Sequence, residues 1–129
     1  MIDAQGIIAD LISGAGVSAW RNRLPAGHEN TAPAVQIETD DDNHHQTGAT
    51  RLVRFTLRVY GGSMRLQDVR STVNAVYGAL LEHNSPEVAR IGAITISEPP
   101  PEPDTGWPSA VMRFEARVKE ITHGNISCT

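Results

Sequence analysis

The alternation of apolar and polar residues divides this chain into elements before any other property is considered. From Asp3 to Ser13 the residues Ile7, Ile8, Leu11 and Ile12 recur at helical spacing, and Gly14 and Gly16 follow as stop signals, which predicts a short amphipathic helix. Val17 to Leu24, with Trp20 at its centre, reads as a short strand followed by a long connection through Pro25, Gly27 and Pro33. Val35 and Ile37 then alternate with Gln36 and Glu38, the period-two pattern of a half-buried strand. That pattern dissolves into the polar run Thr39 to Gly48 and resumes near Thr50. There Val53, Phe55, Leu57 and Val59 fall on one face and Arg54, Thr56, Arg58 and Tyr60 on the other.

Gly61-Gly62-Ser63 breaks this strand. Leu66, Val69, Val73, Val76, Tyr77 and Leu80 then repeat every three or four residues, predicting the main helix through to Glu82. Its other face carries Arg65, Asp68, Ser71, Asn74 and Glu82 and looks to solvent. A fourth strand is expected at Ile91 to Ser97 with Ile94 and Ile96 buried. It ends at Glu98-Pro99-Pro100-Pro101-Glu102-Pro103-Asp104, where proline cannot donate to a ladder. A last strand, about Pro108 to Ile121, buries Met112, Phe114, Ala116 and Val118. This order implies an α+β fold, an antiparallel sheet of about four to five strands with two helices packed on one face. Residues 1–121 form one domain on this reading. Residues 122–129 lack periodicity and read as a flexible tail or an arm ordered by a partner.

Composition narrows the function classes. At 129 residues the chain fits one domain, and with 5% aromatic residues its core rests on Ile, Leu, Val and Ala. The net charge is −4 and Lys119 is the sole lysine, which argues against sequence-specific nucleic-acid binding. Met1-Ile2-Asp3-Ala4-Gln5 has neither the basic start nor the apolar stretch of a signal peptide. No apolar run approaches the roughly 18 residues of a membrane span, so a cytoplasmic product without membrane contact is expected. Cys128, the only cysteine, stands next to the last residue and reads as a disordered thiol.

Several pieces of the pattern, in order, resemble the tail terminator and tail-completion proteins of siphophages and gene transfer agents. They are the opening helix with Leu11-Ile12, Pro33 before Val35-Gln36-Ile37, and the long strand ending in Val59-Tyr60-Gly61. Met64-Arg65-Leu66 opening the main helix and Pro103-Asp104-Thr105-Gly106-Trp107 before a strand with Arg113-Phe114-Glu115 complete the set. The resemblance implies a virion subunit, assembled in the host cytoplasm, that forms a homo-oligomeric ring, a hexamer in the family. The ring would sit at the head-proximal end of the tail tube, ending tube polymerisation and offering a surface for head-tail joining. Its implied partners are further copies of itself, the tail tube protein, the connector or neck protein, and double-stranded DNA passing through the lumen without specific binding. A neck or head-tail adaptor of similar size is the alternative. A small ligand-binding or enzymatic α+β domain is a third reading, and it would need a concave pocket with convergent polar groups.

Candidate chemistry is sparse. Asp40-Asp41-Asp42-Asn43-His44-His45 holds carboxylates and imidazoles that suit metals, but it lacks the glycine and later glutamate of a calcium loop, so the simpler reading is a solvated acidic loop. In a channel subunit such a loop, with Asp40, Asp41, Asp42, His44 and His45, would face the lumen or tube and repel DNA phosphate. His28, His44, His45, His83 and His123 fall in expected loops or ends, and no nucleophile, phosphate-loop or metalloprotease motif occurs. The expectation is no enzyme, no catalytic residue, no metal and no cofactor. The outward strand faces, Arg54 and Arg58 on one strand and Arg113, Glu115, Arg117 and Lys119 on another, are either cross-strand pairs in water or a subunit interface. Trp107 follows the proline run and either anchors its loop to the core or serves as a contact for a neighbouring ring.

Overall fold

A computed structural model describes residues 3–24, 32–42, 50–103 and 105–119. Seven elements follow one another: α1 (Ala4–Gly14), β1 (Ser18–Arg21), β2 (Ala34–Asp42), β3 (Thr50–Tyr60), α2 (Leu66–Leu81), β4 (Val88–Ser97) and β5 (Ala110–Lys119). The strands form one sheet in the order β1-β2-β3-β5-β4. Only the β1–β2 pairing is parallel; the other three are antiparallel. The fold is α+β, with both helices on one face and the other face open.

Local chemistry sets the helix ends. The Asp3 carboxylate accepts the Gly6 amide at 3.1 Å as the N-cap of α1. Gly16, at φ +85°, closes the other end as its amide donates to the Ser13 carbonyl at 3.0 Å. α2 begins after Ser63, whose hydroxyl accepts from the Arg65 amide at 3.1 Å and donates to Asp68 at 2.5 Å. Asp68 also places a negative charge in the first turn, where the helix dipole favours it. A Cβ at Gly61 would stand 2.5 Å from the backbone of Asp68 and Val69, so only glycine lets the chain turn from β3 under α2.

The core lies between the helices and the covered sheet face. Ile8 and Ile12 of α1 and Val69, Val76 and Leu80 of α2 meet Val35, Ile37, Val53, Phe55, Leu57, Val59, Met112, Ala116 and Val118, all fully buried. Phe55 and Phe114, opposite each other on β3 and β5, stack with ring centroids 5.3 Å apart.

Four sequence expectations change. β2 runs to Asp42, so Asp40, Asp41 and Asp42 belong to a strand and not to a loop; pairing with β3 holds the polar run extended. β4 starts at Val88, and Ile96 is 47% exposed while Ile94 is half-buried. Leu66 and Tyr77 of α2 are each 38% exposed. Ile96 is exposed because α2 packs on α1, β3 and β5, which leaves edge strand β4 at the rim of the helix layer. Tyr60, expected on the solvent face, is buried, and its hydroxyl donates to Glu102 at 3.0 Å, because the segment between β4 and β5 closes over the end of β3. The expected tail at 122–129 lies outside the described residues.

Candidate assembly interface

A β-bulge decides where the acidic run points. The β2–β3 register shifts between Thr39 and Asp41. As a result Asp40 and Asp41, though consecutive, both face the open side: Asp40 accepts from the Thr56 hydroxyl, and Asp41 lies 3.5 Å from Arg54. Asp42 turns to the helix side, where its Oδ1 lies 2.7 Å from Nε of Arg51. The three carboxylates therefore cannot converge on one ion, and no group of three potential metal-ligating His, Cys, Asp or Glu occurs among the described residues. His44 and His45 lie outside those residues.

The open face joins the two groups of residues that the sequence kept apart. Arg54 sits between Asp41 on β2 and Glu115 on β5, with its Nε 3.0 Å from Glu115. Thr56 stands opposite Glu38 on β2 and Arg113 on β5, and Arg58 opposite Gln36 and Val111. Arg117 is flanked by Leu52 on β3 and by Arg90 on β4. Apart from Glu115, which Arg54 holds, charge is sorted across this face, with Glu38, Asp40 and Asp41 on the β2 side and Arg90, Arg113, Arg117 and Lys119 on the β4–β5 side. Trp107 stands apart from this network among the described residues. It is half-buried, and its backbone closes a turn by accepting from the Glu102 amide at 3.2 Å and donating to the Thr105 hydroxyl at 3.2 Å.

A second polar cluster, not anticipated from the sequence, lies where α1 begins on the covered face. Gln5, 8% exposed, donates to Asn22 at 2.9 Å and to the Thr39 hydroxyl at 3.2 Å, and accepts from Arg21 at 3.0 Å. Arg21 also reaches Asp3 at 2.7 Å. Burial works against ionisation of Asp3, but the Gly6 amide and the Arg21 guanidinium outweigh it and hold the carboxyl below its ordinary range. With Asp42 and Arg51 these groups line a shallow cleft of about 350 Å³. Its polar atoms bond to one another, which is the arrangement of a satisfied structural network. One signal for it was present in the sequence: Arg51 shares the parity of Val53 and Phe55, so a charge stands where the strand should be apolar.

The chain is thus an α+β domain of two layers, a helix layer on a five-stranded sheet whose other face is charged. No protein-family model and no curated protein sequence matches the chain. Among solved structures it is similar to a chain of the virion of a native gene transfer agent (GTA) particle. The TM-score is 0.50 and the identity 18%, over 92% of this chain and 88% of that one. At that identity the likeness is one of fold.

Proposed function

We propose that this chain is a structural subunit of a phage-type virion, without enzymatic activity, located at the head-proximal end of the tail. It assembles with its own copies into a ring that ends polymerisation of the tail tube and offers a surface to the head connector. The observation that carries this reading is the shared fold with a chain of a gene transfer agent virion across nearly the whole length of both chains. The open charged face adds support, because a ring requires each copy to present two different, complementary patches.

Electron microscopy of particles made after the gene is disabled tests the proposal through tail length. Tubes that overrun their normal length beside heads without tails are the expected outcome. Tails of normal length that fail to join heads would assign the chain to the neck instead. Normal particles would remove it from the tail altogether.

A further inference from the structure

The β4–β5 end of the open face contains an arrangement that a lone subunit does not explain. Arg90 and Arg117 are cross-strand partners, both exposed, and like charges directly opposite each other destabilise a sheet. Among the described residues neither has a carboxylate within ion-pair distance; Arg117 only donates to the Thr50 hydroxyl at 3.3 Å. Glu115, the nearest acid in the ladder, is held by Arg54.

The strand is also shaped at this point. The β4–β5 register shifts between Gly92 and Thr95, with Ala93 at φ +54°, and the bulge leaves a dent of about 150 Å³ lined by Leu52, Arg90, Gly92, Ala93, Glu115 and Arg117.

The acids that would complement this pair lie on the same face at its other end. Glu38, Asp40 and Asp41 sit on β2, separated from β4 by β3 and β5, a distance of about 14 Å at ordinary strand spacing. They are too far away to neutralise Arg90 and Arg117 within one copy. A second copy, displaced sideways, brings its acidic side to this dent.

We infer that the open sheet face is a head-to-tail interface between copies of this chain. The carboxylates of Glu38, Asp40 and Asp41 of one copy enter the bulge dent of the next, between Arg90 and Arg117. The contact uses two different patches, so it repeats from copy to copy and closes when the rotation allows. This rests on the ring reading proposed above and specifies its interface.

Two charge-reversed variants of the full chain test the interface by light scattering. Arg90→Glu with Arg117→Glu makes both ends acidic, and Glu38→Lys with Asp41→Lys makes both ends basic. All four sites are exposed, and circular dichroism checks the fold of each variant. Self-association of either variant alone should weaken about a hundredfold or more relative to the native chain, and mixing the two should restore it. Unchanged assembly of both variants would overturn the interface while leaving a ring intact.

Zero-length coupling of amines to carboxylates gives an independent reading, because Lys119, on the same face, is the sole lysine. In a mixture of isotopically light and heavy protein, links from Lys119 to Glu38, Asp40 or Asp41 of the other isotope are expected. Inter-copy links confined to other carboxylates would overturn the inference, and a native chain that yields no inter-copy links would overturn the ring reading with it. If duplex DNA binds the native chain and Arg90→Glu with Arg117→Glu abolishes that binding without changing assembly, the arginines serve nucleic acid instead.

Discussion

Asp41 and Asp42 are neighbours in sequence, each pairs with an arginine of β3, and their environments are opposite. Asp42 and Arg51 meet on the helix side, where the arginine side chain is 3% exposed and the aspartate 17%. Asp41 and Arg54 meet on the open face at 64% and 51% exposure. The difference shows that the residue pair alone does not set the value of an ion pair. In the covered pair both charges have given up water and depend on each other, whereas in the open pair solvent and salt can replace either partner.

The largest test of this contrast is Arg51→Ala, which leaves the Asp42 carboxylate in a low-dielectric site. Loss of about 3 kcal/mol of unfolding free energy is expected by urea denaturation. A loss no greater than that from Arg54→Ala would break the comparison. Replacing both partners, Arg51→Met with Asp42→Leu, should recover most of the loss, since the penalty comes from the orphaned charge.

Gln5→Ala probes the rest of the covered network. It removes hydrogen bonds to Asn22, Thr39 and Arg21 together and should cost about 1–3 kcal/mol in the same assay. Arg54→Ala on the open face should cost at most about 1 kcal/mol, and moderate salt should erase the difference. A salt-insensitive loss of several kcal/mol would mean that the open face is covered in the isolated chain.

The smallest effect concerns acid. The folded-state pKa of Asp3 is lowered by the Gly6 amide and Arg21 against the opposing effect of burial, so its contribution is present above the unfolded-state value of about 4 and disappears as pH falls through the folded value. Asp3→Asn should therefore flatten the pH dependence of the melting temperature below about pH 4, by a small amount because the pair with Arg21 is exposed to solvent. A steeper dependence in the variant would contradict the assignment.

Much of the architecture was legible because it rests on local periodicity. α1, β3, α2 and β5 follow from spacings that expose or bury a whole face at once, as with Val53 to Val59 against Arg54 to Arg58. Arg54, Arg58, Arg113, Glu115 and Arg117 were correctly read as outward-facing. Their partners were not legible, since the sorting of acid and base across the open face depends on β5 lying between β3 and β4. Asp40 to Asp42 read as a loop because the run has no apolar residue, and strand pairing overrode composition. Arg51 escaped notice because a single charge on an apolar parity resembles the end of a strand.

The sequence by itself determined the types of the seven elements and the apolar faces of α1 and β5, because each of these depends on neighbours within a turn or two of chain. The tertiary structure alone decided the strand order, the exposure of Ile96 at the uncovered rim, the pairing of Asp41 and Asp42 with different arginines, and the facing of Arg90 by Arg117. All of these depend on contacts between residues far apart in the chain, and one bulge is enough to bring the consecutive carboxylates of Asp40 and Asp41 to the same side of the sheet.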